Sequence, residues 1–142
     1  MEEMSKVEAY EFLATGTRTG KLATARADGR PHVAPIWFVL DGEDLIFNTW
    51  HKSVKGKNLV RDGRVALTVD EETPPYAFVL VEGTVEINDD DLAESKKWAT
   101  RIGGRYMGQD RAEEFGERNA VPGELLVRIK VDKIVAKKEM AA

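Results

Sequence analysis

Two Asp-Gly dipeptides, Asp28-Gly29 and Asp41-Gly42, bracket the apolar stretch Pro31–Leu40, and each is the signature of a tight hairpin turn. A chain that doubles back at both ends of such a stretch is committed early to an antiparallel meander. Lys21–Arg26 before the first turn and Asp44–Trp50 after the second are strand-like, so three consecutive strands are predicted. One short helix precedes them over Ser5–Ala14. Its apolar positions are Val7, Tyr10, Phe12 and Leu13, Ser5 and Glu8 have capping-box spacing, and Thr15, Gly16 and Thr17 end it.

Further along, Ser53 is placed to cap a helix running to Asp62, with Val54, Leu59 and Val60 as its apolar positions and Gly63 as its stop. Arg64–Asp70 and Tyr76–Ile87 read as strands, and Gly83 inside the second marks a bend or bulge. Asp89, Asp90 and Asp91 open a helix over Leu92–Arg101; carboxylates in that position match the positive helix start and are assigned to capping, not to a metal. Gly103-Gly104 and Gly108 are expected to interrupt the chain before a second acidic helix, Asp110–Arg118. Two strand patterns, Glu124–Val131 and Lys133–Lys138, then flank Asp132.

About seven strands with short helices, no repeat and no linker predict a mainly β, single-domain fold over residues 1–142, a closed or split antiparallel barrel that hides its strand edges. Pro35 cannot donate to a central ladder and places its strand at an edge or opening. With 42% hydrophobic residues, the chain has enough apolar material for one core. The absence of Cys, with only two His, excludes a zinc finger, an iron–sulfur centre, a catalytic thiol and a disulfide scaffold. The first residues, MEEMSKVEAYEF, are acidic and polar, and no apolar run approaches the ~18 residues of a membrane span. A cytoplasmic protein without a signal peptide, and without membrane partners, is expected.

The net charge of −4 argues against an extended nucleic-acid surface, but it hides a local excess. Between His51 and Arg64, five basic residues (Lys52, Lys55, Lys57, Arg61, Arg64) face Asp62 alone, a local +4 that leaves −8 for the rest of the chain. Such a run is either a solvated helix face or a small anion site. A helix N-terminus presents free N–H groups, so Ser53 and Lys55 in the first turn can hold a phosphate, Lys57 and Arg61 share a face, and Lys52 adds charge from the loop. No GxSxG, HExxH, phosphate loop or dinucleotide fingerprint is present, and His32 and His51 are read as strand-ending residues without Ser or Asp companions. No side chain is therefore assigned as catalytic, and no metal ligand is assigned. An aromatic slot at HVAPIWF beside a phosphate site suits an aromatic cofactor with an anionic tail.

Here the sequence resembles the flavin and deazaflavin reductases of the pyridoxamine 5′-phosphate oxidase-like split β-barrel superfamily. The resemblance runs through GKLATARADGRPHVAPIWFVLDGEDLIFNT, KSVKGKNLVRDGRVALTVD and VEGTVEI. It looks most like the branch using coenzyme F420, a 5-deazaflavin with a phosphate and an oligoglutamate tail, with FMN as the alternative cofactor. The resemblance implies that Ala34, Pro35, Ile36 and Trp37 lie beside the ring and that Asn48, Thr49 and Trp50 form the neighbouring strand end. It also implies that Lys55 binds the phosphate with Ser53, Lys57 and Asn58 around it, and that Lys52 or Arg61 meets the tail carboxylates. Relatives place a basic residue where this chain has Ser53. The resemblance further implies a homodimer with cofactor sites at the interface, where Trp98, Arg105 and Tyr106 cover the ring or substrate from the partner chain. The function it implies is hydride transfer to a small conjugated molecule such as a tetrapyrrole, quinone or unsaturated lactone. An FMN-dependent oxidase or reductase, or a non-catalytic carrier of cofactor or tetrapyrrole, are the alternatives.

Overall fold

The computed structural model describes residues 1–142. The elements are β1 (Glu2–Glu3), α1 (Lys6–Ala14), β2 (Gly20–Ala25), β3 (Pro31–Ile36), β4 (Val39–Asp41), β5 (Asp44–Trp50), α2 (Val54–Arg61), β6 (Arg64–Glu71), β7 (Ala77–Asn88), α3 (Leu92–Met107), a 3₁₀ turn (Gln109–Arg111), α4 (Ala112–Asn119) and β8 (Glu124–Lys138). All strands join one antiparallel sheet in the order β3-β2-β6-β7-β8-β5-β4, with β1 added to β8. No helix is long and apolar enough to cross a membrane.

Alternation along the strands sets the two faces of the sheet. Leu22, Leu67, Val69, Val79, Val81, Phe47, Val127 and Ile129 point inward and are fully buried, joined by Phe38 and, from α1, by Ala9 and Leu13. The α1 start is built as its sequence predicts: the Ser5 hydroxyl accepts from Glu8 N (3.1 Å) and the Glu8 carboxylate accepts from Ser5 N (3.2 Å). Pro35 does lie in an edge strand, since β3 ends the sheet. Gly83 does mark a bulge: Glu82 pairs with Lys133 but Gly83 with Val131, so Asp132 is the extra residue.

Four expectations are corrected. Pro31–Leu40 is not one strand: it breaks at Trp37-Phe38, where the chain crosses from one sheet edge, β3, to the other, β4. The break is held by packing. Trp37 stacks on Tyr106 (5.2 Å between ring centroids, 4° between planes) and meets Phe115 edge-on, while the Tyr106 hydroxyl accepts from Phe38 N (3.3 Å) and donates to Arg18 O (3.0 Å). The C-terminal pair of strands is a single strand, β8, because one bulge at Asp132 absorbs the irregularity while pairing with β7 continues on both sides. With β3 and β4 counted separately, β8 counted once and the short β1 added, the strands number eight.

Of the glycines expected to interrupt the chain here, Gly103 and Gly104 lie inside α3, whereas Gly108 does end it as the C-cap, at φ 99°. A Cβ at Gly103 would sit 2.5 Å from that of Phe115, so glycine there is what lets α4 approach α3, and the close packing outweighs its helix penalty of about 1 kcal/mol. Finally, α2 ends at the C-cap Asp62 in an extended conformation, so Gly63 contributes no left-handed stop.

Candidate functional site

The basic run forms the corner where β5 gives way to α2. Ser53 is the N-cap, and its hydroxyl donates to Trp50 O (2.7 Å) and accepts from Gly56 N (3.0 Å), with Thr49 Oγ1 at 3.2 Å. Ser53 N also donates to Trp50 O (3.0 Å). A side chain at Gly56 would run into that same carbonyl, so the small residue lets the first helical turn close tightly on the strand end. The Val54 and Lys55 N–H groups are left without an acceptor in the chain, as the first turn of any helix requires. α2 has no acidic residue in its first turn, and Lys52, Lys55 and Lys57 form no ion pair, whereas most other lysines of the chain do. Free N–H groups, the positive helix end and three lysines without ion-pair partners belong to this one turn of chain, a combination suited to a phosphate or carboxylate.

The neighbouring candidates divide between this corner and its support. Asn58 is buried and donates through Nδ2 to Thr24 Oγ1 (3.0 Å), while Arg61 donates to Asn58 Oδ1 (3.0 Å) and to the Ala25 carbonyl. These bonds pin α2 to β2, so Asn58 serves as support and part of the Arg61 guanidinium is already committed. Ser53 is likewise occupied internally, which moves the expected anion contact from its hydroxyl to the two free N–H groups. Thr49 is buried behind the corner, and Asn48 donates to Ser95 Oγ on α3 (3.4 Å). Trp50 keeps 43% of its surface exposed and meets His51 edge-on (4.7 Å). His51 donates through both its backbone N and Nδ1 to Gly123 O (2.9 Å each), because a carbonyl can only accept; this fixes the ring's orientation.

α2 lies against β2, β3 and β5, and its bonds to Thr24 and Ala25 set it beside His32 and Pro31 of the edge strand, with Ala34 and Pro35 further along β3. Ile36 is a core residue, and Trp37 is taken up by its stack on Tyr106. A cleft of about 470 Å³ runs beside α2, lined by His51, Lys57, Val60, Arg61, Asp89 and Gly123.

The residues expected to reach across from a partner chain make the following contacts within their own chain. Arg105 donates to Leu13 O (2.7 Å), Phe38 O (2.7 Å) and Gly16 O (3.0 Å) of its own chain and lies over the Phe38 ring. Burial pulls its pKa down from the ordinary arginine value. Tyr106 is tied to Phe38 and Arg18, and burial pushes its phenol up. Trp98, 3% exposed, packs on Ile46 and Leu126 and donates to Glu94 (2.9 Å). All three hold the molecule together.

Two residues escaped the sequence reading. Gly56 was signalled only by its place three residues after the Ser53 cap. Glu124 carried no local signal: the ladder sets it opposite Trp50, where it is half-buried, and burial raises its carboxyl above the usual range although Lys55 and His51 pull it down.

The family described as pyridoxamine 5′-phosphate oxidase matches residues 7–138. Among solved structures, the chain is similar to a conserved hypothetical protein from Mycobacterium tuberculosis at 27% identity and a TM-score of 0.84, covering 97% of this chain and 87% of that one. It is similar to an F420 reductase at 29% identity and a TM-score of 0.67, over 88% of this chain and 94% of the other. A FAD-binding protein from Mesorhizobium loti, at 23% identity and a TM-score of 0.67 over 95% of each chain, shares the fold.

Proposed function

The chain belongs to the pyridoxamine 5′-phosphate oxidase family, and on that premise we propose that it is a reductase using coenzyme F420, acting on a conjugated organic acceptor of the tetrapyrrole, quinone or unsaturated lactone class. The observation that carries this reading is the α2 corner, where Lys52, Lys55 and Lys57 form no ion pair and two N–H groups of the first helical turn lack an acceptor. That donor set fits a phosphate followed by further carboxylates. When bound, the deazaflavin supplies the hydride chemistry. Lys55 and the Val54 and Lys55 N–H groups hold the phosphate, and the exposed Lys52 and Lys57 meet the tail. Ala34, Pro35 and Trp50 supply apolar surface that excludes water and orients the ring. No side chain here is assigned a proton transfer.

The 29% identity to an F420 reductase supports the same cofactor. The test is a titration of the full chain with the deazaflavin and with FMN, followed by quenching of Trp50. Tighter binding of the deazaflavin, weakening as salt rises, is expected because tail contacts to exposed lysines are screened. Equal or tighter binding of FMN sinks the preference and favours an FMN-dependent enzyme of the same fold. Binding without turnover on the acceptor panel favours a carrier.

The site belongs to a homodimer in this reading. The outward face of β3, β2 and β6 carries Val33, Pro35, Ala23, Ala25 and Ala66, small and apolar, with Val33 66% exposed on the edge strand. A two-fold axis there would use the same patch twice. Sedimentation is expected to give a dimer at micromolar concentration. A monomer that still binds the cofactor with full affinity refutes a shared site.

A further inference from the structure

The last pair in the β5–β8 ladder sets Glu124 opposite Trp50, whose carbonyl anchors the Ser53 cap of α2. The register therefore delivers one carboxylate to the mouth of the basic corner. Its position is fixed from behind, because the preceding carbonyl, Gly123 O, accepts from both His51 N and His51 Nδ1. Glu124 is half-buried, yet its carboxylate makes no hydrogen bond or ion pair, unlike Asp44, which holds both Arg128 (2.8 Å) and Lys130 (2.9 Å) further along the same two strands. The charged groups within its electrostatic reach are Lys55, from α2, and His51, from the turn between β5 and α2. Lys55 is itself without a direct partner. Lys55 and Glu124 thus lie within electrostatic reach of each other without forming an ion pair, beside the helix start where an incoming phosphate would sit.

We propose that Glu124 is a specificity-determining residue of this corner: its carboxylate is the built-in counter-charge of Lys55, and it admits a phosphate group readily only once it has taken up a proton. The inference rests on the reading of the α2 start as a phosphate site. A dianionic phosphate near Lys55 would meet Glu124 as a like charge, and the repulsion is relieved when the carboxyl is neutral. Partial burial favours that neutral form, and a bound phosphate favours it further, so binding and proton uptake are coupled. The site then discriminates against phosphate at high pH and accepts it at low pH. Riboflavin, with no phosphate, is indifferent to Glu124.

The experiment uses the full chain and measures the Kd of FMN and of riboflavin, by flavin fluorescence, for the wild type, Glu124→Gln, Glu124→Asp and Lys55→Ala across the range from about pH 5 to about pH 8. Around pH 8, Glu124→Gln is expected to bind FMN about five- to tenfold more tightly than the wild type, with the ratio falling as the pH is lowered and Glu124 takes up its proton, and with riboflavin unchanged throughout. The phosphate's own second titration, at about pH 6, lessens the charge that Glu124 repels and adds to the fall of the ratio at low pH. Glu124→Asp, which keeps the charge, should keep the pH dependence. If FMN binding depends on Lys55 but the ratio of Glu124→Gln to wild type stays at one across the range, this inference fails while the phosphate site stands. If FMN affinity equals riboflavin affinity in every variant, both fail.

Discussion

Lys55→Glu is expected to weaken binding of the deazaflavin and of FMN by about 100-fold while leaving the empty protein as stable as before. The loss combines one charge-assisted hydrogen bond, worth about 1.5–3 kcal/mol, with the repulsion of a carboxylate pointed at a phosphate. Stability is largely spared because Lys55 makes no ion pair or hydrogen bond in the fold, and the positive helix end favours a carboxylate in the first turn of α2, which offsets its repulsion with Glu124. Isothermal titration of the variant, alongside its thermal melt, separates the two effects. Affinity within twofold of the wild type in a folded Lys55→Glu protein removes Lys55 from the site.

Arg105→Ala is expected to lower stability by about 3–4 kcal/mol, which for a domain of this size is a drop of roughly 10 °C in Tm. The guanidinium joins three carbonyls that no other side chain serves: Leu13 at the end of α1, Gly16 in the turn after it, and Phe38 at the crossing between the two sheet edges. Deleting it leaves part-buried acceptors unpaired and strips the cation from the face of Phe38. Arg105→Lys should recover only part of the loss, since one ammonium cannot reproduce a planar fork aimed at three oxygens. A melt of Arg105→Ala within 2 °C of the wild type would mean that these bonds contribute nothing net, and would reopen a role for Arg105 in a partner's site.

These two lysine and arginine positions show where sequence reading succeeds and where it stops. The local structure of the α2 start was legible because all its parts lie within a few residues: the cap, the first turn and the density of positive charge are consecutive along the chain. The Arg105 clamp was not, because its acceptors are 67, 89 and 92 residues away. Nothing beside Arg105 distinguishes it from a surface arginine on α3. The same holds for Trp37, whose aromatic character suggested a cofactor slot until the structure set it against Tyr106 and Phe115.

By itself the sequence determined what short-range physics governs: the Ser5–Glu8 capping box, the Ser53 cap, the edge position forced on β3 by Pro35, the bulge at Gly83 and the basic start of α2. Each depends on hydrogen bonds or steric limits within a few residues, or on a backbone donor that proline lacks anywhere in a sheet. Tertiary structure alone decided the rest. α3 runs through Gly103 because α4 packs where a side chain would be, β8 stays whole because pairing with β7 continues past Asp132, and Glu124 comes to lie opposite Trp50, at the strand end that leads into α2, because the ladder pairs them. Those outcomes turn on which distant segments meet, and the free energy of packing and strand pairing that selects them carries no local mark in the chain.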